Sequence, residues 1–288
     1  MSAGRHTQPP AWGPEHRRAA VAVTFDNLGE AADLQRGLWP QDEPLGRHFS
    51  VTRALPRVLG LLAELRLRAT FFIEGLNAQL YPDALRTIDA AGHEVAYHGW
   101  RHEPWADLTP ARERELLERG VGALAALGLR PVGFRPPGGV LASSSPRLLA
   151  ELGFAYCSPA GEGVGVRDGL AVLPFRWAMI DAFHYLPQFA PRRRAALGEP
   201  DVLLPASLRA TLAHALRAAA RGGDFLTLVF HPFLADADDR LAAMGAVMGD
   251  LRALVDEHAV WCAPLRDVAA WVREQRDARS WPLRLEQD

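Results

Sequence analysis

The stretch Ala20-Val-Ala-Val-Thr-Phe25, followed at once by Asp26-Asn27, decides how the rest of the chain is read. It alternates in part and is rich in β-branched residues, as a buried strand is. An ionised carboxylate directly after such a strand is costly to bury without a task or a partner. Strand-like runs recur at Ala69–Ile73, His93–Tyr97, Val132–Arg135, Phe154–Ser158, Val172–Phe175, Phe225–Phe230 and Val260–Cys262. Helical spacing predicts helices over Val51–Leu67, which Ser50 can cap, over Pro82–Ala91, and over Thr109–Leu127, with Thr109 as N-cap and Pro110 at the first helical position. Further helices fit Ser207–Arg221, Asp239–Glu257 and Leu265–Arg276. Strand–helix alternation implies an α/β fold with a mainly parallel sheet, and the count suits a closed or nearly closed β/α barrel. Chemistry in such barrels sits at the C-terminal strand ends. Here those ends carry Asp26–Asn27, Glu74, His98, Pro136–Pro137 and His231.

Composition narrows the field. With 49% hydrophobic residues the chain of 288 can bury a full core, and a net charge of -2 gives no polyanion-binding surface, so no nucleic acid is expected as partner. Cys157 and Cys262 share no motif and read as small buried hydrophobes. Met1–Arg18 has no apolar core of a signal peptide and no run is long enough to span a membrane, so a cytoplasmic location without a membrane partner is expected. The expected organisation is a flexible N-terminal segment over 1–18, one domain over 19–276, and a tail over 277–288. Trp271 and Trp281 read as exposed, leaving room for a homo-oligomer interface. Two long irregular stretches, Leu28–Ser50 and Trp177–Pro205, carry Trp39, His48 and Phe49 in one and Trp177, Asp181, His184 and Tyr185 in the other. They read equally as packed loop cores or as pocket walls. The consecutive Arg192, Arg193 and Arg194 read as a solvated tip or a subunit contact.

Three segments carry chemistry. His98-Gly-Trp-Arg-His102 places two imidazoles four residues apart just past a strand, where they could share a metal, although ten histidines make such pairs a weak signal alone. Asp26 beside them makes the start of a metal-hydrolase site. Arg135, on a backbone stiffened by Pro136 and Pro137, could clamp a carboxylate. His231 ends the most apolar strand and reads as an acid/base group.

The series Thr24-Phe-Asp-Asn27, Ala69-Thr-Phe-Phe-Ile73, His98-Gly-Trp-Arg-His102, Phe134-Arg-Pro-Pro-Gly138 and Leu228-Val-Phe-His-Pro232 resembles the polysaccharide deacetylases, the NodB-homology family of carbohydrate esterases. Leu173-Pro-Phe-Arg-Trp177 with Asp181 resembles the branch that holds allantoinase-like proteins and some peptidoglycan deacetylases. The resemblance implies a distorted β/α barrel and a divalent metal, usually zinc, in a shallow site. It implies His98 and His102 as metal ligands, with Asn27 at the position of the third. Asp26 would be the base, Arg135 would hold it, and His231 would be the general acid, oriented by Asp181. Trp39, Trp100, Pro137, Trp177 and Tyr185 are the candidate substrate contacts. The family's usual second aspartate is Asn27 here, so the site should bind metal more weakly, recruit Asp26 or Glu30, or do without metal. The leading expectation is an amidohydrolase that N-deacetylates a small-molecule amide. The alternatives are a metal-independent cyclic-amide hydrolase of the allantoinase type and a non-catalytic binding protein on the same fold.

Overall fold

A computed structural model describes residues 11–286. Its strands in chain order are β1 (Ala19–Asp26), β2 (Thr70–Ile73), β3 (Glu94–Tyr97), β4 (Gly133–Phe134), β5 (Tyr156–Cys157), β6 (Gly161–Gly163), β7 (Gly165–Arg167), β8 (Leu170–Val172), β9 (Phe225–Phe230), β10 (Val260–Cys262) and β11 (Leu283–Leu285). β1 is the hub. β9 runs along one edge in register from Ala20–Phe225 to Phe25–Phe230, while β10 and β2 share the other edge, β10 beside Ala19–Val21 and β2 beside Thr24–Asp26. From β2 the sheet continues through β3, β4, β5 and β8, all parallel, to an antiparallel edge strand β7. The curled sheet forms a half-barrel: where a closed barrel would have a ladder, a single bridge from Ile180 to Val229 links the segment after β8 to β9.

All eight residues of β1 are buried, because both faces of the strand are covered. Val21, Val23 and Phe25 face the helices on the outside, and Ala20 and Ala22 face inward with Phe72, Ala96 and Tyr156. The helix Pro110–Ala125 is capped as expected, Thr109 Oγ1 accepting from the Arg112 amide. Ser50 caps nothing. Its hydroxyl accepts from the Gly29 amide at 2.9 Å and lies 2.7 Å from His48 Nδ1, and a wide turn over Ser50–Ala54 leads into the helix Leu55–Glu64.

The described chain ends are packed against the body of the fold. Of the segment expected to be flexible, 1–10 lies outside the described residues, but Trp12 is wholly buried and its indole donates to the Gly223 carbonyl at 2.8 Å. Its ring lies 4.8 Å from Trp271, and Trp281, expected to be exposed, is buried in the same cluster. β11, in the expected tail, pairs antiparallel with β6. The approach is so close that a Cβ on Gly163, whose φ is +82°, would meet the Pro282 carbonyl oxygen at 1.9 Å. Arg193 is no solvated tip either. It is 1% exposed and donates to the carbonyls of Phe183, Leu186 and Pro200, fastening the loop that follows Asp181. No helix among the described residues is long and apolar enough to cross a membrane.

Candidate active site

Parallel strands bring their C-terminal ends to one rim, and six polar residues stand there: Asp26 ends β1, and Glu74, His98, Arg135, Ser158 and His231 follow β2, β3, β4, β5 and β9. Five of these strands are consecutive neighbours in the sheet, which is why residues far apart in sequence meet.

Arg135 is the anchor. Its guanidinium is 1% exposed and donates through Nη1 to Asp26 Oδ1 at 2.7 Å and Thr24 Oγ1 at 2.9 Å, and through Nη2 to Ser158 Oγ at 3.0 Å. Phe72 and Phe175 sandwich it, with ring centroids 4.1 and 5.0 Å from the guanidinium carbon. This holds Asp26 by one oxygen and leaves Oδ2 free. The backbone carbonyl of Arg135 accepts from His98 Nδ1 at 2.8 Å, which fixes the tautomer and turns the bare Nε2 inward, 4.0 Å from Asp26 Oδ2. Two acceptors at that separation leave room between them for a donor or a cation.

Burial pushes the pKa of His98 down to about 3, and burial with the adjacent His98 pushes that of His102 well below its usual value, so both imidazoles are neutral and keep their lone pairs. Their ring centroids are 5.0 Å apart. Asn27 and His102 both adopt left-handed backbone, φ +56° and +69°, a strain that clusters at functional sites. Buried Glu103 braces the histidine turn by accepting from the Trp100 and Arg101 amides.

Across the cavity, His231 Nδ1 lies 2.6 Å from Asp181 Oδ1, while Asp181 Oδ2 accepts from the His231 amide at 2.8 Å. Burial by itself would lower the pKa of this imidazole, but Asp181, helped by Asp26, outweighs it and the value is raised. The raised pKa stabilises the folded chain below the unfolded value, and this contribution is lost as pH rises through the folded value. Glu74 is fully buried, near enough to Asp26 to feel its charge, and burial first, then that charge, drives its carboxyl strongly toward the neutral form.

The cavity enclosed by these groups is about 100 Å³. Asp26, Asn27, His98, His102, Arg135 and His231 all line it, and Trp177, Phe175, Phe189 and Phe233 form an aromatic wall. Asp181 stands behind His231. Of the candidate substrate contacts only Trp177 lines the cavity. Trp100 is 2% exposed and packs between Gly75 and the Arg119 guanidinium, and Pro137 is buried against Gly99. Tyr185 is buried under Arg240, and Trp39 donates to the Glu43 carbonyl and packs on His48. Aromatic content alone could not tell loop core from pocket wall. Glu30, the alternative ligand, is engaged by Tyr81 Oη and the Gly46 amide and does not reach the cavity. Thr24, Ser158 and Glu103 were not singled out from the sequence. Thr24 was open to inference, since the strand pattern puts it on the same face as Asp26.

The donors suit a divalent cation in kind. No group of three or more His, Cys, Asp or Glu among the described residues is arranged to hold one, and Asn27, which lines the same cavity, is the further side-chain oxygen on offer. Its Oδ1 is buried and accepts no hydrogen bond, an orphan that a cation would satisfy. The His98 N–H bonded to a backbone carbonyl is the outer support that metal-binding imidazoles receive.

The family model described as polysaccharide deacetylase matches residues 14–157, half of the chain. A peptidoglycan deacetylase of Helicobacter pylori is 30% identical over 125 residues, 43% of this chain and 39% of that protein. Chitin deacetylase 1 of Saccharomyces cerevisiae is 33% identical over 99 residues, 34% of this chain and 33% of its own. The matches thus span well under half the length of these curated relatives. A Mycobacterium smegmatis structure assigned as a polysaccharide deacetylase is 32% identical, with a TM-score of 0.78 over 93% of this chain and 94% of that one. PuuE allantoinase, 21% identical with a TM-score of 0.73 over 95% and 96%, shares the fold.

Proposed function

Because the chain belongs to the polysaccharide deacetylase family, we propose that its strand-end cavity hydrolyses the amide of a small N-acylated molecule, with Asp26 as base and His231 as acid. The observation that carries this reading is a carboxylate and an imidazole with opposite tasks in one cavity, each held by a buried partner. Asp26 is locked by Arg135 at 2.7 Å as an acceptor with one free oxygen, and Asp181, 2.6 Å from His231, raises the pKa of that imidazole and so favours its protonated form.

Asp26 Oδ2 takes the proton of the attacking water. His231, its Nδ1 occupied by Asp181, gives a proton from Nε2 to the amide nitrogen, without which the amine is a very poor leaving group. The aromatic wall excludes water from the bound acyl group. Asn27, His98 and His102 would hold a divalent cation, with zinc expected, and when bound it supplies Lewis acidity toward the carbonyl oxygen. The 100 Å³ cavity and its aromatic wall support a small substrate rather than a polymer lying in an open groove.

The test is acetate release from a panel of small N-acetylated amines and sugars, run beside ring opening of cyclic ureides, which frees no acetate. Acetate release supports the reading; ring opening alone moves the chain to cyclic-amide hydrolysis, the reading that uncharged Asn27 favours. Two further outcomes are expected. Asn27→Asp adds a formal charge to the donor set and should tighten zinc at least about ten-fold, roughly 1.4 kcal/mol, measured by competition with a chromophoric chelator. Unchanged affinity removes Asn27 from the donor set. Asp181→Asn takes away the charge that raises His231, so the alkaline limb of the kcat/KM profile should move to lower pH. An unmoved limb would assign it to another group.

A further inference from the structure

Charges around the cavity do not balance. Asp26 is paired with Arg135 and Asp181 with His231, and burial drives Glu74 toward neutrality. One more charged side chain lines the same cavity: Arg36, the last residue of the short helix Ala31–Arg36 in the segment between β1 and β2. Among the described residues Arg36 makes no hydrogen bond and no ion pair, and its side chain stands at the solvent side of the cavity. It is near enough for its charge to add to the burial that depresses His98 and His102. The acidic groups near it are already committed: Asp26 is bonded to Arg135, and Glu74, which feels the Arg36 charge, is held toward its neutral form by burial.

An unpaired guanidinium at the mouth of a small cavity is a fork for a carboxylate or another oxyanion. We infer that Arg36 selects N-acylated substrates carrying an anionic group on the amine side of the scissile amide. The inference rests on the proposed hydrolysis for where the amide lies, and not for the charge preference itself.

The experiment compares N-acetylglycine, its uncharged carboxamide and N-acetylethanolamine phosphate, reading kcat/KM by acetate release and Kd by calorimetry. In the native protein the better anionic probe should exceed the carboxamide at least about ten-fold in both, a difference of about 1.4 kcal/mol. Whichever anion is preferred fixes the group as carboxylate or phosphate. In Arg36→Gln that ratio should collapse toward one, mainly through KM, and Arg36→Lys should keep part of it. A native ratio near one, a ratio that survives in Arg36→Gln, or no binding by either anionic probe overturns the inference. If the probes bind but none releases acetate, the hydrolase reading fails on these compounds, and Arg36 is judged on the Kd ratios of the same variants.

Discussion

Arg135→Met is expected to destabilise the fold by about 3–5 kcal/mol, the usual cost of leaving one partner of a buried ion pair without the other. The substitution leaves Asp26 at 7% exposure without its hydrogen-bonded counter-charge and strips Thr24 and Ser158 of their donor. It also vacates the slot between Phe72 and Phe175, which methionine fills only in part. Urea unfolding measures the loss. The double variant Asp26→Asn/Arg135→Met buries no lone charge and should lose less than the sum of the two single changes, the difference being the coupling of the pair. A single-variant cost below about 1 kcal/mol would show that the pair is solvated, as exposed ion pairs are, and would remove Arg135 as the anchor of the site.

Asp26→Asn should lower kcat on any confirmed amide substrate by about 10²–10⁴-fold, the range a positioned acid or base contributes. The amide keeps the shape and can still accept from Arg135, but it cannot take a proton. Substrate Kd should therefore move far less than kcat. Because Arg135 loses its charged partner, the folded fraction of the variant has to be established first, by circular dichroism at the assay temperature. A kcat within a few-fold of native, in protein shown to be folded, would sink the assignment of Asp26 as base.

Much of this was legible from β1 outward. Ala20–Phe25 and Phe225–Phe230 are long, apolar and β-branched, and both are strands where that pattern puts them. Parallel pairing then places Asp26, His98, Arg135 and His231 on one rim. Strands of two or three residues, such as β6, β7 and β11, are too short and two of them too glycine-rich to show a period. The burial of Trp12 against Trp271 and Trp281 joins residues more than two hundred positions apart, which no local pattern encodes. Arg36 and Arg193 show the same limit. Both sit in segments with the composition of loops, yet one stays unpaired at the cavity and the other is consumed by three backbone carbonyls.

The hub position of β1 also sets when the sheet can close during synthesis. The N-terminal half of β1 pairs only with β9 and β10, whose residues follow it by roughly two hundred positions. At about 5–20 residues per second, a ribosome leaves that strand without either neighbour for about 10–40 s. Through that interval the nascent chain carries an apolar strand with bare edges, the kind of segment that pairs with the wrong partner. A stop codon anywhere before residue 225 would make that exposure permanent, so truncated products of this chain should be found in the insoluble fraction or bound to chaperones.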